Sequence, residues 1–283
     1  MNSNVRAALL AILGMALISS NDVIVKLSSE HLGVGQLLFV RGTLGVLFFS
    51  VLIKTSGRSL DPRVFLVKTN VLRATCECCA TLLFVLALSI LPIAIVSTLA
   101  WTSPIFLTIA AALVLSEKVS VGRWLAVLIG FVGVVLVTNP FSGEFSWVMI
   151  LPLMTAVFVC LRDLLTRKMQ SNLHSLHVIY VSLIIVAVAG GVLSIFDWRP
   201  LEPAVVTWLG LSALLLGLGF LSHVSAVRLG ELSFIAPFSF TGILVSVSYG
   251  YLIWGELPTG LMFLGIGLII AAGIYILTSQ QSA

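Results

Sequence analysis

The sequence predicts an all-α integral membrane protein: ten transmembrane helices arranged as two inverted five-helix repeats. Three observations carry that expectation: a composition that calls for a lipid environment, ten apolar runs of membrane-crossing length, and one half of the chain echoed in the other. Of the 283 residues, 59% are hydrophobic and only 9% are charged, with a mean hydropathy of +1.18. Ordinary soluble domains carry about 25% charged residues. Apolar surface on this scale is accommodated by a bilayer rather than by water.

A spanning helix takes about 20 mostly apolar residues. Such runs lie near 5–27, 34–53, 70–90, 93–115, 121–138, 147–168, 175–196, 204–226, 232–254 and 260–278. The first exceeds a signal-peptide core and lacks a small-residue cleavage site, so it is expected to be retained. Connections are short except for the basic one from Lys54 to Thr69. Nothing is left over for a soluble domain.

The stretch from Ala87 to Thr138 is repeated in plan from Ala226 to Leu277. Each copy passes through a turn into an apolar run, closes on a glutamate (Glu117, Glu256) and continues as a Gly-rich span. Upstream, NDVIVK from Asn21 to Lys26 lies over RDLLTR from Arg162 to Arg167. The halves are therefore 1–138 and 139–283. Five is an odd number, so the second half must cross in the opposite sense to the first. Inverted repeats of this kind are typical of secondary transporters, with the solute site near midplane where the halves meet.

Net charge is +4 and the isoelectric point near 9.0, but the basic residues report orientation rather than a nucleic-acid partner. On the N-terminal side stand Arg6, Lys54, Arg58, Arg63, Lys68, Arg73, Lys118, Arg123, Arg167, Lys168 and Arg228, against only Lys26 and Arg199 opposite. That asymmetry places both termini in the cytoplasm of a multi-pass protein of the cell's inner or plasma membrane. Cys76, Cys78, Cys79 and Cys160 all lie in apolar runs, and CECC has neither metal spacing nor partner histidines. No metal, cofactor or disulfide framework is expected.

The repeat, with Trp101-x-x-Pro104 inside the first copy and a glutamate closing each, resembles the EamA-type branch of the drug/metabolite transporter superfamily over nearly the whole chain. The resemblance implies a transporter whose spans 1, 3, 4, 6, 8 and 9 line a central cavity. It takes in ten-helix aromatic amino acid exporters and carriers for S-adenosylmethionine-like or vitamin substrates. The Phe-x-Arg-Gly of Phe39 to Gly42, with Arg73 opening span 3, looks more like the second group.

Ionisable groups inside spans cost about 2.5–3.5 kcal/mol on insertion scales and so face a cavity or a partner. Here they are Asp22, Arg41, Glu77, Arg162, Asp163 and His223. At about 1.5 Å per residue, Asp22 and Arg41 fall in the outer third of the membrane, and Glu77, Arg162, Asp163 and His223 in the inner third. We expect Asp22 with Arg41 to form an outer gate and Glu77 with Arg162 an inner one. Permanent structural pairing is the competing reading. Between these layers, Ser97, Trp101, Pro104 and Thr108 share one face of span 4, and the repeat sets Phe240 opposite Trp101, with Pro237 a turn before. Thr81 and Phe84 follow Glu77 along span 3, with His223 over Phe84; a histidine near neutrality is a candidate proton site. Ordinary packing would give the same aromatic stripe. Glu117 and Glu256 read as caps of spans 5 and 10, where a carboxylate meets a positive helix end.

Span 5 carries Gly122, Ala126, Gly130 and Gly133, and span 10 carries Gly265, Gly267, Ala271 and Gly273. Small residues at this spacing let backbones approach in lipid. The two spans are expected to pack on each other within a monomer; a homodimer face is the alternative. The chain has no G-x-x-x-x-G-K-[ST], H-E-x-x-H, G-x-S-x-G or TVGYG, which removes P-loop hydrolysis, familiar intramembrane hydrolases and a potassium filter. The expected function is alternating-access transport of a small amphipathic organic metabolite, an amino acid or a derivative, in the export direction. Uptake of an S-adenosylmethionine-like or vitamin substrate is the first alternative, and an intramembrane lipid-modifying enzyme the second.

Overall fold

The computed structural model describes residues 3–57, 67–114, 120–139, 146–168, 175–229, 238 and 240–279. All regular structure among them is helical: α1 (Ser3–Ser29), α2 (Val34–Thr55), α3 (Lys68–Leu88), α4 (Ile93–Ala100), α5 (Ser103–Val114), α6 (Val121–Thr138), a 3₁₀ turn (Trp147–Met149), α7 (Ile150–Lys168), α8 (Ser175–Ser194), α9 (Pro203–Leu229), α10 (Thr241–Trp254) and α11 (Gly260–Ser279). Seven segments are long and apolar enough to cross a membrane, α4 and α5 counting as one of them, and three shorter apolar helices bring the total to ten. The protein is thus an all-helical membrane protein.

One expected span is broken. Pro104 has no N–H to offer the Ala100 carbonyl, and its ring would collide with that carbonyl in a continuous helix. α4 accordingly stops at Ala100, Trp101 takes φ −74° and ψ 6°, and α5 restarts at Ser103. The hydroxyl of Thr102, buried at the break, donates to the Leu99 carbonyl at 2.6 Å. At the end of α10, Gly255 takes the left-handed conformation at φ +67°, and its N–H donates to the Tyr251 carbonyl. That is the usual glycine stop.

Helix α1 packs along α9, α3 along α7, α2 along α8 and α6 along α11. Smaller interfaces join α3 to α8, α2 to α9, α1 to α10, α7 to α4 and α5, and α4 to α10. Followed around, they close a ring of α1, α9, α2, α8, α3, α7, α4/α5 and α10, with α6 and α11 paired outside it. The outer pair meets at Gly133 and Gly265. A Cβ on Gly133 would stand 2.8 Å from the Gly265 carbonyl oxygen, and one on Gly265 would stand 2.7 Å from that of Gly133. This approach is the one expected of spans 5 and 10. Leu125, Leu128 and Val132 on the remaining face of α6 are exposed, as lipid-facing side chains are.

Candidate functional site

A cavity of about 490 Å³ lies inside the ring, within the roughly 300–1,000 Å³ range of small-molecule sites. Its described walls come from α2, α3, α7, α8 and α9. Arg41, Arg73, Glu77, Thr81, Arg162, Asp163, Ser182 and His223 supply the polar part, and Phe49, Leu183, Val186, Leu216 and Phe220 much of the apolar part. Glu77, Thr81, Arg162, Asp163 and His223, read from the sequence as pathway residues, therefore share one wall system. Helices α2 and α8 contribute where spans 1, 4 and 9 were expected to.

The charged wall is a continuous network. Arg162 donates through Nη1 to Glu77 Oε2 at 3.0 Å and through Nε to Asp163 Oδ1 at 2.9 Å. Arg73, one turn before Glu77, brings Nη2 to 3.6 Å from the same oxygen. Its Nη1 donates to Ser182 Oγ at 2.7 Å and its Nε to Thr166 Oγ1 at 3.2 Å. α7 is thereby tied to α3 through the Glu77 carboxylate, and α8 to α3 through Arg73. Removing a partner from such a pair strands a charge in a poorly hydrated setting, and this is why the groups come together. His223 Nδ1 is buried and has no hydrogen-bond partner.

The Asp22–Arg41 pair expected at the other end does not form. Asn21 comes between them: its Nδ2 donates to Asp22 Oδ1 at 3.0 Å, and its Oδ1 lies 3.5 Å from Arg41 Nη1. That Oδ1 also accepts from Ser212 Oγ of α9 at 2.6 Å. The physical reason is the packing of α1 against α9. Asn21 is turned into that seam at 1% exposure, where its neutral amide can satisfy several neighbours without the desolvation cost of a charge.

Nor do the aromatic residues singled out in the sequence, Phe84, Trp101 and Phe240, line this cavity. Phe240 is 2% exposed, and its ring centroid lies 5.9 Å from that of Trp101. The ring fills the space left open by Gly273, where a Cβ would collide with Phe240. Ser97 is buried with its hydroxyl unpartnered, and Phe84 packs on the main core. Pro104 acts through the helix break. Pro237 and Glu117 lie outside the described residues.

At the face opposite the N-terminus a compact latch joins three helices. Lys26, 8% exposed near the end of α1, donates to Glu256 Oε1 at 2.7 Å and to the Leu91 carbonyl at 3.2 Å. Its ammonium stands 4.5 Å from the Trp254 ring centroid, within cation–π range. Glu256 Oε2 accepts from the Ile93 N–H at 3.2 Å. Glu256 was expected to cap the following helix, α11, but instead it caps the start of α4 and so bridges the halves. A carboxylate at a helix N-terminus gains the same stabilisation whichever helix supplies it, and Lys26 fixes the choice.

Residues 5–139 match the EamA-like transporter family. That match covers the first half of the chain. Among its relatives, the riboflavin transporter of Vibrio cholerae is 29% identical over 62% of this chain, and the match spans 59% of that relative's length. The pseudopaline exporter CntI of Pseudomonas aeruginosa is 26% identical over 94% of both chains. The S-adenosylmethionine uptake transporter of Rickettsia bellii is 26% identical over 69% of this chain and 67% of its own. A crystal structure 16% identical to this chain superposes with a TM-score of 0.65 over 98% of this chain and 99% of its own, which establishes the shared fold alone.

Sequence reasoning passed over Asn21 and the Lys26–Glu256 latch. Both had a signal. Asn21 stands over Arg162 in the internal repeat, and a lysine so close to an apolar run needs an acceptor.

Proposed function

We propose that the chain is a secondary transporter that moves a small amphipathic organic metabolite by alternating access between two inverted repeats, 1–138 and 139–283. The observation that carries this reading is an asymmetry. A solute-sized cavity extends from Arg41 of α2 to Arg73 and Thr166 toward the N-terminal face, while Lys26 and Glu256 tie α1, α4 and α10 together at the other face. The packing pattern supports the repeat: exchanging the halves turns α1 on α9 into α7 on α3, and leaves α2 on α8 and α6 on α11 unchanged.

In this account both termini are cytoplasmic in the cell membrane and the cavity faces the cytoplasm. Opening to the other side requires the Lys26–Glu256 latch to part. Glu77 with Arg162 is the charge pair of the cytoplasmic end of the pathway, and Asp22 and Arg41 are the charges of the opposite end. The chain works as a monomer, since the glycine faces of α6 and α11 are used on each other. The cargo is an amino acid or a derivative, moved outward. Phe39 to Gly42 and the names of the riboflavin and S-adenosylmethionine relatives favour a second reading, uptake of a vitamin or S-adenosylmethionine-like solute.

Counterflow in proteoliposomes decides the matter. Vesicles preloaded with aromatic amino acids, S-adenosylmethionine or riboflavin are expected to accelerate entry of the same labelled solute, with saturation, for one of the three. Flux that never saturates and shows no trans-acceleration with any of them would overturn the carrier reading.

A further inference from the structure

We infer that Arg41 receives an anionic group of the solute, the carboxylate of an amphipathic organic acid, inside the cavity. The inference rests on the transporter reading for its biological meaning and on the geometry of the wall for its chemistry.

Arg41 is the least engaged of the wall's three guanidinium groups. Arg73 and Arg162 share Glu77, and Arg162 also holds Asp163. Among the described residues no ion pair includes Arg41. Its hydrogen bond is the 3.5 Å contact to Asn21 Oδ1, an oxygen that Ser212 already holds at 2.6 Å. The charges of Asp22 and Glu77 reach it at longer range. Among the lining residues, Arg41, Arg73 and Arg162 stand against Glu77 and Asp163, and the remaining carboxylate, Asp22, lies off the wall and is bonded to Asn21.

A cation within a span is costly unless a partner or a watery cavity compensates it. Arg41 has the cavity, and its partner is not on the wall. The planar fork of a guanidinium matches a carboxylate through two parallel hydrogen bonds, and does so better than an ammonium. Phe49, Leu183, Val186 and Phe220, on the same walls, offer an apolar surface for the rest of the molecule. Together they describe a ligand with an acidic head and an apolar body.

The test uses the full chain in lipid nanodiscs, with 3-indolepropionate as the probe acid. Phenylglyoxal modifies accessible arginines, and mass spectrometry reads each one. The acid is expected to slow modification of Arg41 by about tenfold, while its neutral amide leaves the rate within about twofold and neither compound protects the exposed Arg199. Equal protection by acid and amide, or none by the acid, overturns the inference. As a second measure, Arg41→Gln is expected to weaken thermal stabilisation by the acid by about tenfold in apparent affinity, with partial recovery in Arg41→Lys. If Arg41→Gln does not fold, the modification experiment on the unaltered chain stands alone. Protection by the acid without counterflow of any solute defeats the transporter reading and leaves the inference standing. Saturable counterflow of neutral solutes, with Arg41 unprotected by the acid, does the reverse.

Discussion

Two polar clusters occupy matching places in the two halves, yet they are built differently. The internal repeat lays Asn21 over Arg162 and Asp22 over Asp163, and the same offsets lay Arg41 over Ser182 and Ser212 over Arg73. Around Arg162 the contacts are ionic and short, with Glu77 shared by two guanidinium groups. Around Asn21 the hub is a neutral amide, and the one guanidinium nearby is held at 3.5 Å. The first cluster welds α3, α7 and α8. The second leaves α1, α2 and α9 joined by weaker bonds and a cation facing the cavity. In the inverted-repeat architecture proposed here, one copy serves as structural cement while the other stays open to a ligand.

The largest effect should come from breaking the ionic hub. Glu77→Gln leaves Arg73 and Arg162 without their shared carboxylate, and breaking a buried pair costs about 3–5 kcal/mol. Because these side chains are about one-fifth exposed, the lower end is expected, read as a lowered thermal midpoint in nanodiscs. A wild-type midpoint would mean that the cluster is not cement. The neutral hub should matter less: Asn21→Ala strands the Ser212 hydroxyl and the Asp22 carboxylate at a cost of about 1–3 kcal/mol. If its loss equals that of Glu77→Gln, the contrast between the clusters fails.

The smallest effect belongs to two hydroxyls, one in each cluster. Ser182→Ala removes the 2.7 Å acceptor of Arg73 and Ser212→Ala the 2.6 Å donor to Asn21. Each should cost about 1 kcal/mol, and the Arg73 bond, being charge-assisted, slightly more. A reversed order would place the greater electrostatic demand on the α1 side.

Much of this was legible in the chain. Hydropathy located the ten apolar segments, and Pro104 marked a weak point in span 4, although its consequence, two helices in place of one, depended on how Trp101 and Thr102 closed the break. Depth along the helices brought Glu77 and Arg162 together correctly, because both sit on long spans with few competing groups. Depth alone failed for Asp22 and Arg41. It says nothing of rotation about the helix axis, and Asn21 holds the intervening position. The repeat paired Trp101 with Phe240 across the halves, but an aromatic stripe reads the same whether it lines a pocket or fills a core. The space beside Gly273 put Phe240 in the core. Glu256 was misassigned for a related reason: a cap is visible in sequence only when the helix it serves is its neighbour.

The central claim is that the cavity is accessible from the side bearing the N-terminus while Lys26 and Glu256 close the other. Ala213→Cys, on the cavity wall part-way along α9, in a chain with Cys76, Cys78, Cys79 and Cys160 replaced, can be challenged with a membrane-impermeant maleimide from each side of oriented vesicles. The account predicts labelling from the N-terminal side alone, and from both sides once Lys26→Met removes the latch. Equal labelling from both sides with the latch intact, or labelling confined to the far side, would contradict it.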